Sequence, residues 1–232
     1  PMNGDDRSPD PSLVPGPVET ITRFRLAPTP SGYLHVGNAF NFVLTHRLAQ
    51  AEGAQLGLRI DDLDTVRVRS EYLEDIYESL QWLGLTWDLG SKDATDNTWW
   101  QSSRIHRYNE VLDELRRRDL VFACTCSRAE IAAENDRLGL PLSDSTYPGT
   151  CLHRGIALLV SFVNGMAASY IIATVIDDVD HGITHIVRGD DLLEVSHAQH
   201  HIAGLMPWLA PYRRIRVHHH FVILDADGRK LS

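Results

Sequence analysis

The chain has 232 residues, enough for one large domain or a core domain with a smaller insert. Lys and Arg number 22 against 31 Asp and Glu, a formal net charge of −9, with 43% hydrophobic and 23% charged residues. That composition excludes collagen-like, disulfide-scaffold and wholly disordered classes. The acidic balance excludes a nonspecific DNA coat or a membrane-surface binder, while permitting one locally basic face toward a nucleic acid.

Residues 1–20 carry five prolines and no apolar periodicity, which predicts a disordered tail without a signal peptide. The proline before Met2 is expected to be a tag remnant. Order begins near Ile21. Residues 23–27 alternate like a strand and stop at the Pro28-Thr29-Pro30-Ser31-Gly32 turn. Phe40, Val43, Leu44, Leu48 and Ala51 share one face of a helix over 38–52, with Gly53 as its stop. A second strand over 56–60 leads into acidic Asp61, Asp62 and Asp64, followed by a helix over 71–83. A loop holding Trp82, Trp87, Trp99 and Trp100 precedes a helix over 103–118, whose end carries Arg116, Arg117 and Arg118.

A third strand over 121–123 runs into Cys124-Thr125-Cys126. Beyond Cys151 the pattern predicts strands over 171–175 and 184–187, a helix over 191–205 and a last strand over 217–224. The longest apolar run, 156–176, is broken by Asn164, Gly165 and Ser169 and is too short of continuous apolar residues to span a bilayer. Alternating strands and helices predict an α/β, Rossmann-type doubly wound parallel sheet, with functional residues in the crevice at the strands' C-terminal ends. The expected organisation is a tail at 1–20, a first half of the Rossmann-type domain at 21–123, a small zinc-binding insertion and connection at 124–168, and a second half at 169–232.

Five groups of residues carry chemistry. From Arg25 through Ala27, Pro28 and Thr29 to His35, Val36, Gly37 and Asn38, a strand and a Pro/Gly turn deliver a histidine and a glycine to a helix start. A helix N-terminus attracts anions, and a histidine there can donate to phosphate oxygens. The C-terminal Gly228-Arg229-Lys230-Leu231-Ser232 offers a lysine after a turn. Asp61 and Asp62 at a strand end can bind an ammonium group. Taken alone, Tyr170 reads as a strand residue and Arg188 as a surface charge. Cys124, Cys126 and Cys151 supply three thiolates for a tetrahedral zinc site, with Tyr147 or His153 as the fourth ligand. On ligand statistics alone the histidine is the default.

These residues together resemble class I aminoacyl-tRNA synthetases of the glutamyl type, over roughly residues 22–232. His35-Val36-Gly37-Asn38 is similar to the "HIGH" signature, with Asn in the last place. Lys230-Leu231-Ser232 resembles the start of the "KMSKS" loop, whose second lysine would follow Ser232. Arg59-Ile60-Asp61-Asp62-Leu63-Asp64 resembles R-I-E-D-x-D, with Asp61 in place of the glutamate that grips the substrate amine. The cysteine pattern with Tyr147 resembles the branch that glutamylates queuosine in tRNA(Asp), which lacks an anticodon-binding domain and takes a tyrosine as fourth zinc ligand.

The resemblance implies an ATP-dependent, cytoplasmic ligase, a monomer that uses Mg2+ with ATP and binds Zn2+. It implies glutamate contacts from Arg25, Ala27, Thr29, Asp61, Tyr170 and Arg188. ATP contacts are implied for Pro28, His35, Gly37, Asn38 and Lys230, with His35 and Lys230 catalytic. Arginine forks at Arg25 and Arg188 suit a side-chain carboxylate, so glutamate is expected over glutamine. Two other readings stay open: a catalytic fragment of a standard glutamyl-tRNA synthetase, and a synthetase-like binding module without turnover. Arg104, His106, Arg107, Arg116 to Arg118, Arg213, Arg214, Arg216 and His218 to His220 are the basic groups available to tRNA.

Overall fold

A computed structural model describes residues 21–121, 126–140, 148–150, 170–228 and 231. Five short parallel strands organise the molecule. β1 (Arg23–Leu26), β2 (Gln55–Leu58) and β3 (Leu89–Gly90) form one sheet, with Arg23 opposite Gln55 and Leu58 opposite Gly90. β4 (His185–Gly189) and β5 (Arg216–His220) form a second, with Arg188 opposite His219. The two sheets meet along β1 and β4. The Thr184 amide donates to the Arg23 carbonyl at 2.9 Å, and the Arg23 amide donates to Thr184 Oγ1 at 2.7 Å. The order across the molecule is thus β3-β2-β1-β4-β5, and it reverses between β1 and β4. This is the doubly wound α/β arrangement expected from the sequence.

Six helices are described: α1 (Val36–Ala51), α2 (Ser70–Trp82), α3 (Ile105–Arg117), α4 (Arg128–Leu138), α5 (Tyr170–Asp180) and α6 (Leu193–Ala203). They form two hydrophobic cores. Phe42 and Ala49 of α1 and Leu73, Ile76 and Leu80 of α2 pack with Phe24, Leu26, Leu56 and Leu58 of the strands. The other core holds Tyr108, Val111, Leu112 and Leu115 of α3, Ile172 to Ile176 of α5, and Met206, Leu209 and Tyr212. β4 feeds both, Ile186 to one and Val187 to the other, because successive strand residues point to opposite faces. The spacing of three and four in α2 and α3 gives each helix one apolar stripe. None of the described helices is long and apolar enough to cross a membrane.

Several expectations need correction. Residues 171–175 are not a strand but lie within α5. Ile172 through Asp178 are all buried, and the polar positions Thr174, Asp177 and Asp178 recur at helical spacing but face buried partners rather than solvent. β3 has two residues and no sequence signal of its own. The expected helices over 103–118 and 191–205 each begin with a 3-10 turn, Gln101–Arg104 and Asp190–Leu192. The last strand ends at His220 rather than at 224. Of the strand expected over 121–123, Val121 is buried outside any strand, and 122–125 lie outside the described residues. The tail and most of the expected insertion also lie outside them, although α4 falls within that insertion.

Candidate active site

A cleft of about 700 Å³ opens where β1 and β4 end. That is the crevice a doubly wound sheet offers to ligands. It is lined by Arg25, Ala27, Pro28 and Thr29 after β1, by Tyr33, His35, Asn38, Asn41 and Phe42 around the start of α1, and by Tyr170, Val187 and Arg188. A smaller pocket of about 160 Å³ shares His35, Asn38, Asn41 and Arg188, and adds Gly37, Asp191, His220 and Leu231. Eight of the residues singled out from the sequence therefore line the first cleft, and Gly37 lines the second.

His35 is the N-cap of α1. Its Nδ1 accepts from the Gly37 amide at 3.1 Å, which leaves the proton of the neutral ring on Nε2. Asn38 Oδ1 accepts from the His35 amide at 3.1 Å and closes a capping box. The asparagine in the last signature place is thus a structural cap. Gly37 has no room for a side chain: a Cβ would lie 2.9 Å from His35 Cε1 and 3.1 Å from the Leu231 carbonyl. Asn41, one turn on from Asn38, accepts at Oδ1 from His220 Nε2 at 3.1 Å. The sequence reading missed Asn41, although the i, i+3 spacing places it on the same helix face.

Beneath the cleft lies a charge cluster. Arg25 Nε donates to Asp178 Oδ1 at 3.1 Å. Arg59, 1% exposed, donates Nη1 to that same oxygen at 2.7 Å and grips Asp61 with Nε at 2.6 Å and Nη2 at 3.1 Å. Arg104 Nε reaches Asp177 Oδ1 at 2.7 Å, and Gln101 and Tyr108 also donate to Asp177. Burial alone would lower the Arg59 pKa, but Asp61, Asp178 and Asp177 together push it well above its ordinary value. Burial likewise favours a neutral Asp178, and Arg25 and Arg59 outweigh it and hold that carboxyl low. Three guanidiniums thus meet three carboxylates.

Arg188 is held differently. It is 4% exposed and lines both pockets. Its Nη1 donates to Gln199 Oε1 at 2.8 Å and to Ser196 Oγ at 3.3 Å, both neutral. Among the described residues it has no salt-bridge partner within 4.0 Å, and its buried Nη2 has no hydrogen-bond partner. Its charge is felt by Asp178 but makes no direct ion pair with it, and a buried charge held only by neutral partners is costly unless an anion completes it. Arg25, by contrast, already has Asp178, so the two arginines expected to act alike are not equivalent.

Asp61 also departs from expectation. It is 3% exposed, does not line the cleft, and has both oxygens engaged by Arg59. Burial pushes its carboxyl up, with Arg59 opposing. A direct grip on a substrate amine is not what this geometry offers. Asp62 accepts from the Ser102 amide at 2.8 Å and serves the following turn. Tyr170, 42% exposed, opens α5 at the rim of the cleft.

Lys230, Cys124, Tyr147, Cys151 and His153 lie outside the described residues. Cys126 is half-buried, and among the described residues no cluster of three or more potential metal ligands occurs. Of the basic groups, Arg104 and Arg107 are bonded to Asp180, and Arg116, Arg117 and Arg118 pair with Asp113 or Glu114. Arg213, Arg214 and Arg216 are exposed.

Residues 21–155 match the family described as "tRNA synthetases class I (E and Q), catalytic domain". The chain is 31% identical over 263 residues to the glutamyl-Q tRNA(Asp) synthetase of Rhodobacter capsulatus, covering 91% of this chain and 90% of that one. It is 37% identical over 235 residues to the protein of that name from Parasynechococcus marenigrum, covering 90% and 73%. A crystal structure of a glutamate tRNA ligase from Elizabethkingia meningosepticum shares the fold at 22% identity and a TM-score of 0.70, covering 91% of this chain and 51% of that one. The chain thus spans about half the length of that solved protein.

Proposed function

The chain belongs to the class I glutamyl and glutaminyl tRNA synthetase family, and from that premise we propose that it is a ligase that activates glutamate with ATP and transfers it to queuosine in tRNA(Asp). The observation that carries the choice of amino acid is Arg188, a buried guanidinium at the cleft wall with neutral partners. Such a group binds a carboxylate and gains nothing from an amide. The relatives support the acceptor: glutamyl-Q tRNA(Asp) synthetases match this chain over most of their own length.

In the proposed mechanism the glutamate side chain lies against Arg188, with Arg25 nearby and Tyr170 at the rim. The substrate's α-carboxylate attacks the α-phosphorus of ATP. His35 Nε2–H and the amide end of α1 face the phosphate oxygens as negative charge builds there. Pyrophosphate departs from phosphorus, leaving glutamyl-adenylate. A hydroxyl of the queuosine cyclopentenediol then attacks the activated carbonyl, and AMP leaves. Orientation and charge stabilisation carry most of this rate, so no strong general base is needed. Lys230 is assigned to the ATP phosphates on its motif, with Mg2+ accompanying the nucleotide. Arg213, Arg214 and Arg216 are the exposed basic edge available to tRNA.

Zinc is assigned to Cys124, Cys126, Tyr147 and Cys151 on their motif, a donor set whose three thiolates suit that metal. Elemental analysis of the purified chain should find one zinc per molecule, lost in Cys126→Ser.

Glutamate-dependent ATP–pyrophosphate exchange without tRNA tests the activation step. Exchange with glutamate but not glutamine, followed by labelling of tRNA(Asp) only when queuosine is present, is the expected result. No exchange, even from a chain extended beyond Ser232, would sink the enzyme reading.

A further inference from the structure

We propose that Gln199 sets the charge preference of the cleft, as a positioning residue that fixes the Arg188 fork through a neutral amide and leaves its positive charge for the substrate. The inference rests on the reading of Arg188 given above and goes one residue deeper. Gln199 is 0% exposed and sits on α6, one turn beyond Ser196, so both face Arg188 from the same side of the helix. Its Oε1 accepts two bonds, from Arg188 Nη1 at 2.8 Å and from the Tyr212 hydroxyl at 2.7 Å.

Two donors converging on one oxygen fix which way the amide faces. Tyr212 is itself 0% exposed, and burial pushes its pKa up, so it stays a donor throughout the working range. Arg188 is thereby held at Nη1 by neutral acceptors where it lines the cleft.

The contrast with the neighbouring arginines gives this its force. Arg25, Arg59 and Arg104 are each held by an aspartate. An acid at position 199 would hold Arg188 just as firmly, and would also neutralise it. The cleft would then have no reason to prefer glutamate to glutamine. The choice of an amide at 199 separates holding the guanidinium from cancelling its charge.

The test is Gln199→Glu, with Tyr212→Phe as a milder variant that removes one bond to the amide. Glutamate KM, kcat and ATP KM are measured by ATP–pyrophosphate exchange, glutamine Ki by competition, and the melting temperature alongside. Gln199→Glu should raise the glutamate KM at least about tenfold, about 1.4 kcal/mol. The ATP KM should stay within about twofold, and the ratio of glutamine Ki to glutamate KM should fall in proportion. Tyr212→Phe should raise the glutamate KM by about two- to fivefold, in the same direction.

A merely structural role for Gln199 would lower the melting temperature and leave that ratio unchanged, which would overturn the proposal. If Gln199→Glu does not fold, an unchanged glutamate KM in Tyr212→Phe overturns it instead. Arg188→Ala separates the two levels. If that variant keeps its glutamate KM, the reading of Arg188 falls. If it loses glutamate binding while folded Gln199→Glu keeps the wild-type ratio, only the assignment of Gln199 falls.

Discussion

Arg25 Nε lies 3.1 Å from Asp178 Oδ1, a contact that bridges 153 residues of chain. The same oxygen accepts from Arg59, so one carboxylate ties the end of β1 and the segment after β2 to α5. Asp178→Asn would leave two buried guanidiniums short of one negative charge. Breaking a buried ion pair from one side costs about 3–5 kcal/mol. Urea unfolding should show a loss of that size, and the glutamate KM should rise as Arg25 loses its orientation. An unchanged unfolding midpoint would mean that Asp178 is not the tie described.

Gly37 sits between the His35 ring and the carbonyl of Leu231. In Gly37→Ala the new methyl group must displace one or both. Overpacking at such a point costs about 1–3 kcal/mol. The catalytic consequence should be larger, because His35 is oriented by the Gly37 amide itself. We expect kcat in the exchange assay to fall about tenfold or more, since displacements of about 1 Å cost that and beyond. A variant with wild-type kcat would show that neither neighbour needs its present place.

Much of this site was legible before the fold was known. Arg25, His35 and Arg188 lie at strand ends or a helix start, where motif and topology agree. The motif sets Arg59 two residues before Asp61 but does not show that Arg59 folds back onto both of its oxygens, which only the structure reveals. The segment 171–175 reads as a strand because Ile171, Ile172 and Val175 are β-branched, and its helical period shows only when Thr174 is taken together with Asp177 and Asp178 beyond it. Gln199 left no signal at all. Its role depends on Tyr212 and Arg188, and only packing brings those three together.

The last expectation concerns acid. The His181 ring stacks on Trp99, with centroids 4.0 Å apart and planes within 2°. Burial pushes its pKa down to about 4, with Arg104 and Arg59 adding to the effect and Asp177 and Asp178 opposing it. In the unfolded chain the ring titrates near 6.5. Between those values the unfolded state binds the extra proton, so stability falls as pH drops from about 6.5 toward 4 and levels off below. From pH 7 to pH 5 this one ring should remove about 2 kcal/mol. His181→Phe keeps a ring on Trp99 and has no proton to bind. Urea unfolding at both pH values should show a loss smaller by about that amount in the variant. Equal losses in the two proteins would assign the acid sensitivity to other groups, first to His46, His185, His200 and His219, whose rings burial also holds below their ordinary value.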